Sequence, residues 1–236
     1  MKPHLIVALD FDEISKVENI LDKLHGICDF YKVGCRLFTR YGPKVVELLK
    51  KRGCKVFLDL KLHDIPQVVS GAVHAAEELD VDIITLHTLG GLTMLHAAHD
   101  AREGDKPLLF GVTILTSISH EEFNYILGRD LVDTVFRLAK IAVKAHLDGI
   151  VASPLEVSEL KKKFGKKLLM LTPGIRLEKD QKHDQARFAT PKDAVLNGAD
   201  YLVVGRTITQ AKEPEKVATK LLQEIESAYN LRGQNG

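Results

Sequence analysis

Eight times along 236 residues, a short run of β-branched and aliphatic residues gives way to a longer stretch with apolar residues at helical spacing. The runs cover 4–10, 30–34, 55–60, 82–87, 108–113, 149–153, 168–172 and 201–205. Between them, Ile14, Val17, Ile20, Leu21 and Leu24 share one helical face. Val45, Val46, Leu48 and Leu49 form a second stripe, and Val68, Val69, Ala72, Ala75 and Ala76 a third. Strands that read as almost continuous apolar runs are covered on both faces, which implies a parallel sheet. Eight strand–helix units in a chain of this length predict an α/β fold of the (β/α)8 TIM-barrel type. The competing architecture, an open doubly wound sheet, carries fewer strands and a glycine-rich first turn. Here the first run ends in Asp10-Phe11-Asp12, with no G-x-G-x-x-G. No linker or break in composition divides the chain, so 1–236 is expected to form a single barrel domain with its site at the C-terminal ends of the strands.

Polar residues gather where such a barrel does its chemistry. Asp10 closes the first run and Lys32 lies in the second. Asp59 and Lys61 close the third, His87 the fourth, Thr113 the fifth and Ser153 the sixth. Pro173-Gly174-Ile175-Arg176 follows the seventh, and Gly205-Arg206 the eighth. The densest stretch is Asp59-Leu60-Lys61-Leu62-His63-Asp64. Residues two apart in a strand share a face, so Asp59 and Lys61 are expected side by side. Carboxylate neighbours keep a lysine charged, which suits a fixed cation or proton donor better than a nucleophile. Alone, Asp-x-Lys-x-x-Asp fits an ordinary ion pair at a strand end equally well. A glycine entering a helix beside an arginine, as at Gly205-Arg206, is either a plain helix start or an oxyanion cradle. The charged stretch 175–189 is either a solvated loop or a lid whose Arg176 and Gln185 touch a phosphate.

A formal charge of +1 offers no general attraction for nucleic acid or an anionic membrane. Cys28, Cys35 and Cys54 show no C-x-x-C spacing and are expected to be buried free thiols in a reducing compartment. The first apolar run is short for a signal peptide and no stretch approaches a membrane span, so a cytoplasmic location is expected. His96 and His99 lie three apart, but no further ligands fall at metal-site spacing.

Several spaced segments together carry a family likeness. The chain resembles the orotidine 5′-phosphate decarboxylase family, most specifically over Asp59-Leu60-Lys61-Leu62-His63-Asp64-Ile65-Pro66. Val7-Ala8-Leu9-Asp10, Tyr31-Lys32-Val33-Gly34, Thr85-Leu86-His87, Leu115-Thr116-Ser117, Thr172-Pro173-Gly174-Ile175-Arg176 and Val203-Val204-Gly205-Arg206 stand in the family's order. The resemblance implies decarboxylation of orotidine 5′-monophosphate to UMP, the last step of pyrimidine nucleotide synthesis, with no metal or organic cofactor. It assigns proton delivery to Lys61 and a place beside the substrate carboxylate to Asp59. Lys32 and Asp10 are expected to reach the ribose, and Ser153 the pyrimidine edge. Arg176, Gln185, Gly205 and Arg206 are expected at the phosphate. Asp64 and Thr116 are expected to enter the partner's site in a homodimer.

The alternative on the same scaffold is a magnesium-dependent sugar-phosphate decarboxylase or lyase. Such relatives carry an acidic residue where this chain has Lys32, and a lysine there repels a cation.

Overall fold

A computed structural model describes residues 2–177 and 188–234. The strands β1 (His4–Ala8), β2 (Phe30–Gly34), β3 (Lys55–Leu62), β4 (Ile83–His87), β5 (Leu108–Val112), β6 (Gly149–Val151), β7 (Leu169–Thr172) and β8 (Tyr201–Val204) pair in chain order. All pairs are parallel, and the ring closes through His4↔Tyr201 to Val7↔Val204 between β1 and β8. The α/β barrel expected from the alternating pattern is therefore the fold. Around it run α1 (Ile14–Lys23), α2 (Cys35–Tyr41), α3 (Pro43–Lys51), α4 (Pro66–Glu78), α5 (Gly91–Asp100) and α6 (His120–Leu127). The series continues with α7 (Leu131–Lys144), α8 (Val157–Phe164), α9 (Pro191–Asn197), α10 (Arg206–Thr209) and α11 (Pro214–Gln234).

Two apolar layers hold the barrel, as strand alternation requires. Outward residues such as Leu5, Val7, Tyr31, Val33, Leu58, Ile84 and Leu202 pack against the helices. Inward residues Ile6, Phe30, Phe57, Ile83, Phe110, Leu171 and Tyr201 fill the interior toward its N-terminal end. Phe110 and Phe30 both meet the Tyr201 ring edge-on, at 5.5 and 6.2 Å between centroids. A side chain on Gly149 would strike the Phe110 ring, so β6 has to be small there. The barrel is a packed plug below and polar above.

The N-terminal end is tied by aspartates that sequence reading did not single out. Asp82, Asp148 and Asp200 immediately precede or open β4, β6 and β8. Each accepts the N–H of a residue on the preceding strand or at its start: Val56 at 2.9 Å, Leu109 at 2.7 Å and Met170 at 2.8 Å. Each also meets a cation: Lys50 at Asp82, Arg102 at Asp148 and Lys161 at Asp200. Burial would raise the Asp82 carboxyl, but Lys106, the Val56 N–H and Lys50 outweigh it and hold it below its ordinary range.

Two expectations need correction. The stripe on α4 is met only in part: Val69 and Ala76 are buried as expected and Ala72 is half-buried, but Val73 joins them while Val68 and Ala75 face outward. Its true face depends on where α4 meets the sheet. The cysteines are free, but Cys28 and Cys54 are only half-buried and Cys35 is exposed. Burial pushes the Cys28 thiol up to about 12, leaving it unreactive.

Candidate active site

The inward rows of the first strands change from apolar to charged as they rise. Alternation carries β1 from Ile6 through Ala8 to Asp10, β2 from Phe30 to Lys32, β3 from Phe57 to Asp59 and β4 from Ile83 to Thr85. The Lys32 ammonium lies 3.1 Å from Asp10 Oδ1 and 3.4 Å from Asp59 Oδ2. Lys61 Nζ lies 2.8 Å from Asp59 Oδ1. Asp10, Lys32, Asp59 and Lys61 thus form a row of alternating sign across three strands. Lys32 and Asp59 are almost wholly enclosed, with side chains 11% and 12% exposed, while Lys61 is 33% exposed.

Burial and charge oppose each other here, and charge wins. Burial would lower the Lys32 ammonium, yet Asp59 and Asp10 raise it above its usual value. Burial would raise Asp59, yet Lys32, Lys61 and the Thr85 hydroxyl hold it below the usual carboxylate range. Both stay ionised at neutral pH. Gly34 completes the geometry from β2. A Cβ there would come within 2.9 Å of Lys32 Nζ and 3.4 Å of Asp10 Oδ1.

Asp59 and Lys61 are neighbours, though not through simple alternation. Leu58 pairs with Ile84 and Leu62 with Leu86, so three β3 residues stand opposite the single β4 residue Thr85. Lys61 takes up the excess with a left-handed backbone, φ 52°. Such bulges re-aim side chains beside active sites. A non-glycine residue in that region costs about 1–3 kcal/mol, which the surroundings must offset.

Residues 3–221 match the family model described as "Orotidine 5'-phosphate decarboxylase / HUMPS family". The chain belongs to this family. Orotidine 5'-phosphate decarboxylase of Legionella pneumophila (strain Paris) is 45% identical over 229 residues, spanning 95% of this chain and 100% of the relative. The enzyme of the same name from Carboxydothermus hydrogenoformans is 44% identical over 237 residues, spanning 98% of this chain and 99% of the relative. The crystal structure of orotidine 5'-phosphate decarboxylase from Lactobacillus acidophilus aligns with a TM-score of 0.82 at 36% identity, over 98% of this chain and 100% of that one.

In this member of the decarboxylase family, the remaining candidates occupy the same end of the barrel to differing degrees. Ser153 is buried just beyond β6, its Oγ accepting the Leu155 N–H at 3.4 Å and its own N–H donating to Glu156. Thr116 is half-buried in the connection from β5 to α6. Arg176 follows β7, where its N–H donates to the Ala189 carbonyl at 3.1 Å, and its guanidinium lies 5.9 Å from the Phe188 ring centroid. Gly205 follows β8, and Arg206 opens α10, a single turn of helix. A single turn carries little helix dipole. Gln185 lies outside the described residues. Asp64 is exposed and accepts the Ile65 N–H at 2.7 Å. Among the described residues it makes no ion pair with Lys61 of its own chain, so a single chain brings one carboxylate of the motif to Lys61.

Sequence reading missed Thr85 and Gly34 as individual site residues, although both lie inside segments that carry the resemblance. The available signal was alternation: each stands two residues beyond an inward-facing neighbour. His87, at the end of β4, packs its ring 5.4 Å from that of His63. Burial, then His63 and Lys61, lowers its pKa, so it is neutral at physiological pH. His96 and His99 approach His146 on the outer layer. Among the described residues, no group of three His, Cys, Asp or Glu side chains is arranged to hold a metal. No helix among them is long and apolar enough to cross a membrane.

Proposed function

We propose that this chain, as one barrel domain, converts orotidine 5′-monophosphate to UMP and carbon dioxide, with Lys61 as the acid. The observation that carries this reading is the Asp10–Lys32–Asp59–Lys61 row at the barrel mouth. Breaking the bond from C6 to the carboxyl carbon leaves its electron pair in the plane of the ring, where the π-system cannot spread it. A cation fixed at that carbon stabilises the pair directly, and does so far more strongly in an enclosed site than in water. The proton then passes from Lys61 Nζ to C6, forming the C6–H bond of UMP, and the amine regains a proton from solvent. Asp59 keeps Lys61 aimed and places a negative charge beside the departing carboxylate. Lys32 and Asp10 bind the ribose hydroxyls, and Ser153 meets the pyrimidine edge. Arg176, Gln185, Gly205 and Arg206 take the phosphate.

No step needs a metal. The Lys32 ammonium stands between Asp10 and Asp59, where a divalent ion would otherwise have to sit, and this disfavours the magnesium-dependent alternative.

The reading extends to a homodimer in which Asp64 and Thr116 serve the partner's site. Its support is an apolar rim on the connections following β3, β4 and β5. Ile65 is 63% exposed, Val68 50%, Leu89 48%, Leu92 39% and Leu115 36%. Exposed aliphatics flanking an otherwise unengaged carboxylate suit burial against a second copy. A cytoplasmic location is part of the same proposal.

The deciding experiment follows orotate-ring absorbance with purified protein in excess EDTA. Absorbance should fall at an undiminished rate, and Lys61→Ala should stop it. Constant absorbance with the wild-type protein, or near-normal turnover by Lys61→Ala, would overturn the reading.

A further inference from the structure

Between Leu58 and Leu62, β3 carries two residues more than β4 has to match, and Thr85 is the one residue facing the excess. Its side chain is fully buried. Its Oγ1 accepts the Lys61 N–H at 3.0 Å and lies 3.0 Å from Asp59 Oδ1. A backbone N–H can only donate, so the hydroxyl must act as acceptor toward Lys61. Its one proton is therefore directed at the Asp59 carboxylate. One hydroxyl thus substitutes for the ladder partner that the bulge removes and also orients the acid that faces Lys61.

We propose that Thr85 is the positioning residue of this site: its hydroxyl pins the bulged β3 backbone at Lys61 and the Asp59 carboxylate in one geometry, setting where the Lys61 ammonium points. This rests on the proposed role of Lys61 as proton donor. The physical need is plain. Lys61 sits at φ 52°, a conformation lysine does not favour, and its side chain has four rotatable carbons. A relaxed backbone would swing the ammonium by ångströms. Errors of about 1 Å in a reacting group cost on the order of a hundredfold in rate. Asp59 Oδ1 would retain Lys61 but lose the neutral donor that sets its rotation. Lys32 approaches the other oxygen and cannot replace that donor.

Two substitutions at Thr85 separate the hydroxyl from the volume around it. Thr85→Val keeps the shape and removes the hydroxyl, while Thr85→Ser removes a methyl and keeps it. We expect Thr85→Val to lower kcat about 10–100-fold with KM within about threefold, since ribose and phosphate contacts are untouched. Thr85→Ser should retain kcat within about threefold. Should Thr85→Val fail to fold, Thr85→Ala against Thr85→Ser makes the same comparison, because those two side chains differ only by the oxygen. Wild-type kcat in a variant lacking the hydroxyl would overturn the proposal, as would equal losses in Ser and Ala variants. Lys61→Ala, assayed alongside, tells the two failures apart. If it is inactive while Thr85→Val is normal, only the role of Thr85 falls. If Lys61→Ala is active, the reading of Lys61 falls first.

Discussion

Both ends of the barrel pair aspartates with lysines or arginines, but they anchor those pairs differently. At the N-terminal end, Asp82, Asp148 and Asp200 each bond a backbone N–H as well as a cation. At the C-terminal end, the partners of Asp59 are the side chains Lys32, Lys61 and Thr85. A carboxylate bonded to the main chain staples one strand to the next. A carboxylate held by side chains alone organises charge around open space. The same ion-pair chemistry therefore builds the fold at one end and the candidate site at the other, in keeping with stability and catalysis occupying opposite faces of such barrels.

Lys61→Ala is the sharpest way to break that division. On the proposed mechanism it should reduce turnover by several orders of magnitude, because the charge developing at C6 would lose its counter-ion. The unfolding midpoint should stay within about 3 °C of wild type, since no main-chain bond depends on the amine. Parallel assays and thermal melts test this, and a large loss of stability would place Lys61 with the structural pairs.

Arg176→Ala comes next. It should weaken kcat/KM for the phosphorylated substrate about a hundredfold or more and hardly affect a phosphate-free nucleoside. Equal losses for both substrates would remove Arg176 from phosphate recognition.

Asp200→Ala probes the opposite end. It leaves the buried Met170 N–H unsatisfied and Lys161 without its carboxylate. Stability to denaturant should fall by about 2–4 kcal/mol, with kcat within about twofold. A loss of kcat at unchanged stability would contradict the separation of the two ends.

The smallest effect is on pH dependence, and its sign is fixed. Asp59 and Asp82 both have carboxyls held below their ordinary range in the folded state. The stability each contributes is present above the unfolded value, about pH 4, and is lost as the pH falls through the lower folded value. The Lys32 ammonium is raised, so its contribution is present below its unfolded value, about pH 10.4, and fades as the pH climbs through the folded one. Melts from pH 7 down to pH 3 should show a smaller drop for Asp82→Asn than for wild type. An identical drop would mean that Asp82 contributes nothing to acid sensitivity.

Most of the architecture was legible along the chain, because its signals are local. The eight apolar runs coincide with β1–β8 to within two residues at each end. The charges of Asp10, Lys32, Asp59 and Lys61 stood out because they lie in or at the ends of runs that are otherwise apolar. On α4 the expected stripe holds for Val69 and Ala76 but not for Val68 and Ala75, since periodicity sets a spacing while packing sets which side turns inward. Asp82, Asp148 and Asp200 were overlooked because each looks like an ordinary polar residue at the start of a strand until its neighbouring strand is in place.

By itself, the amino-acid sequence determined the number and order of strands, the parallel closed sheet and the set of charges carried to its mouth. These follow from hydrophobic periodicity, which each segment expresses without reference to the others. Only the tertiary structure decided how Lys61 reaches Asp59. That contact depends on the register of β3 against β4, on a bulge whose excess residues face Thr85, and on a hydroxyl that meets both partners once the strands are aligned. Register between β3 and β4 relates residues 24 or more apart, such as Lys61 and Thr85, so no local pattern encodes it.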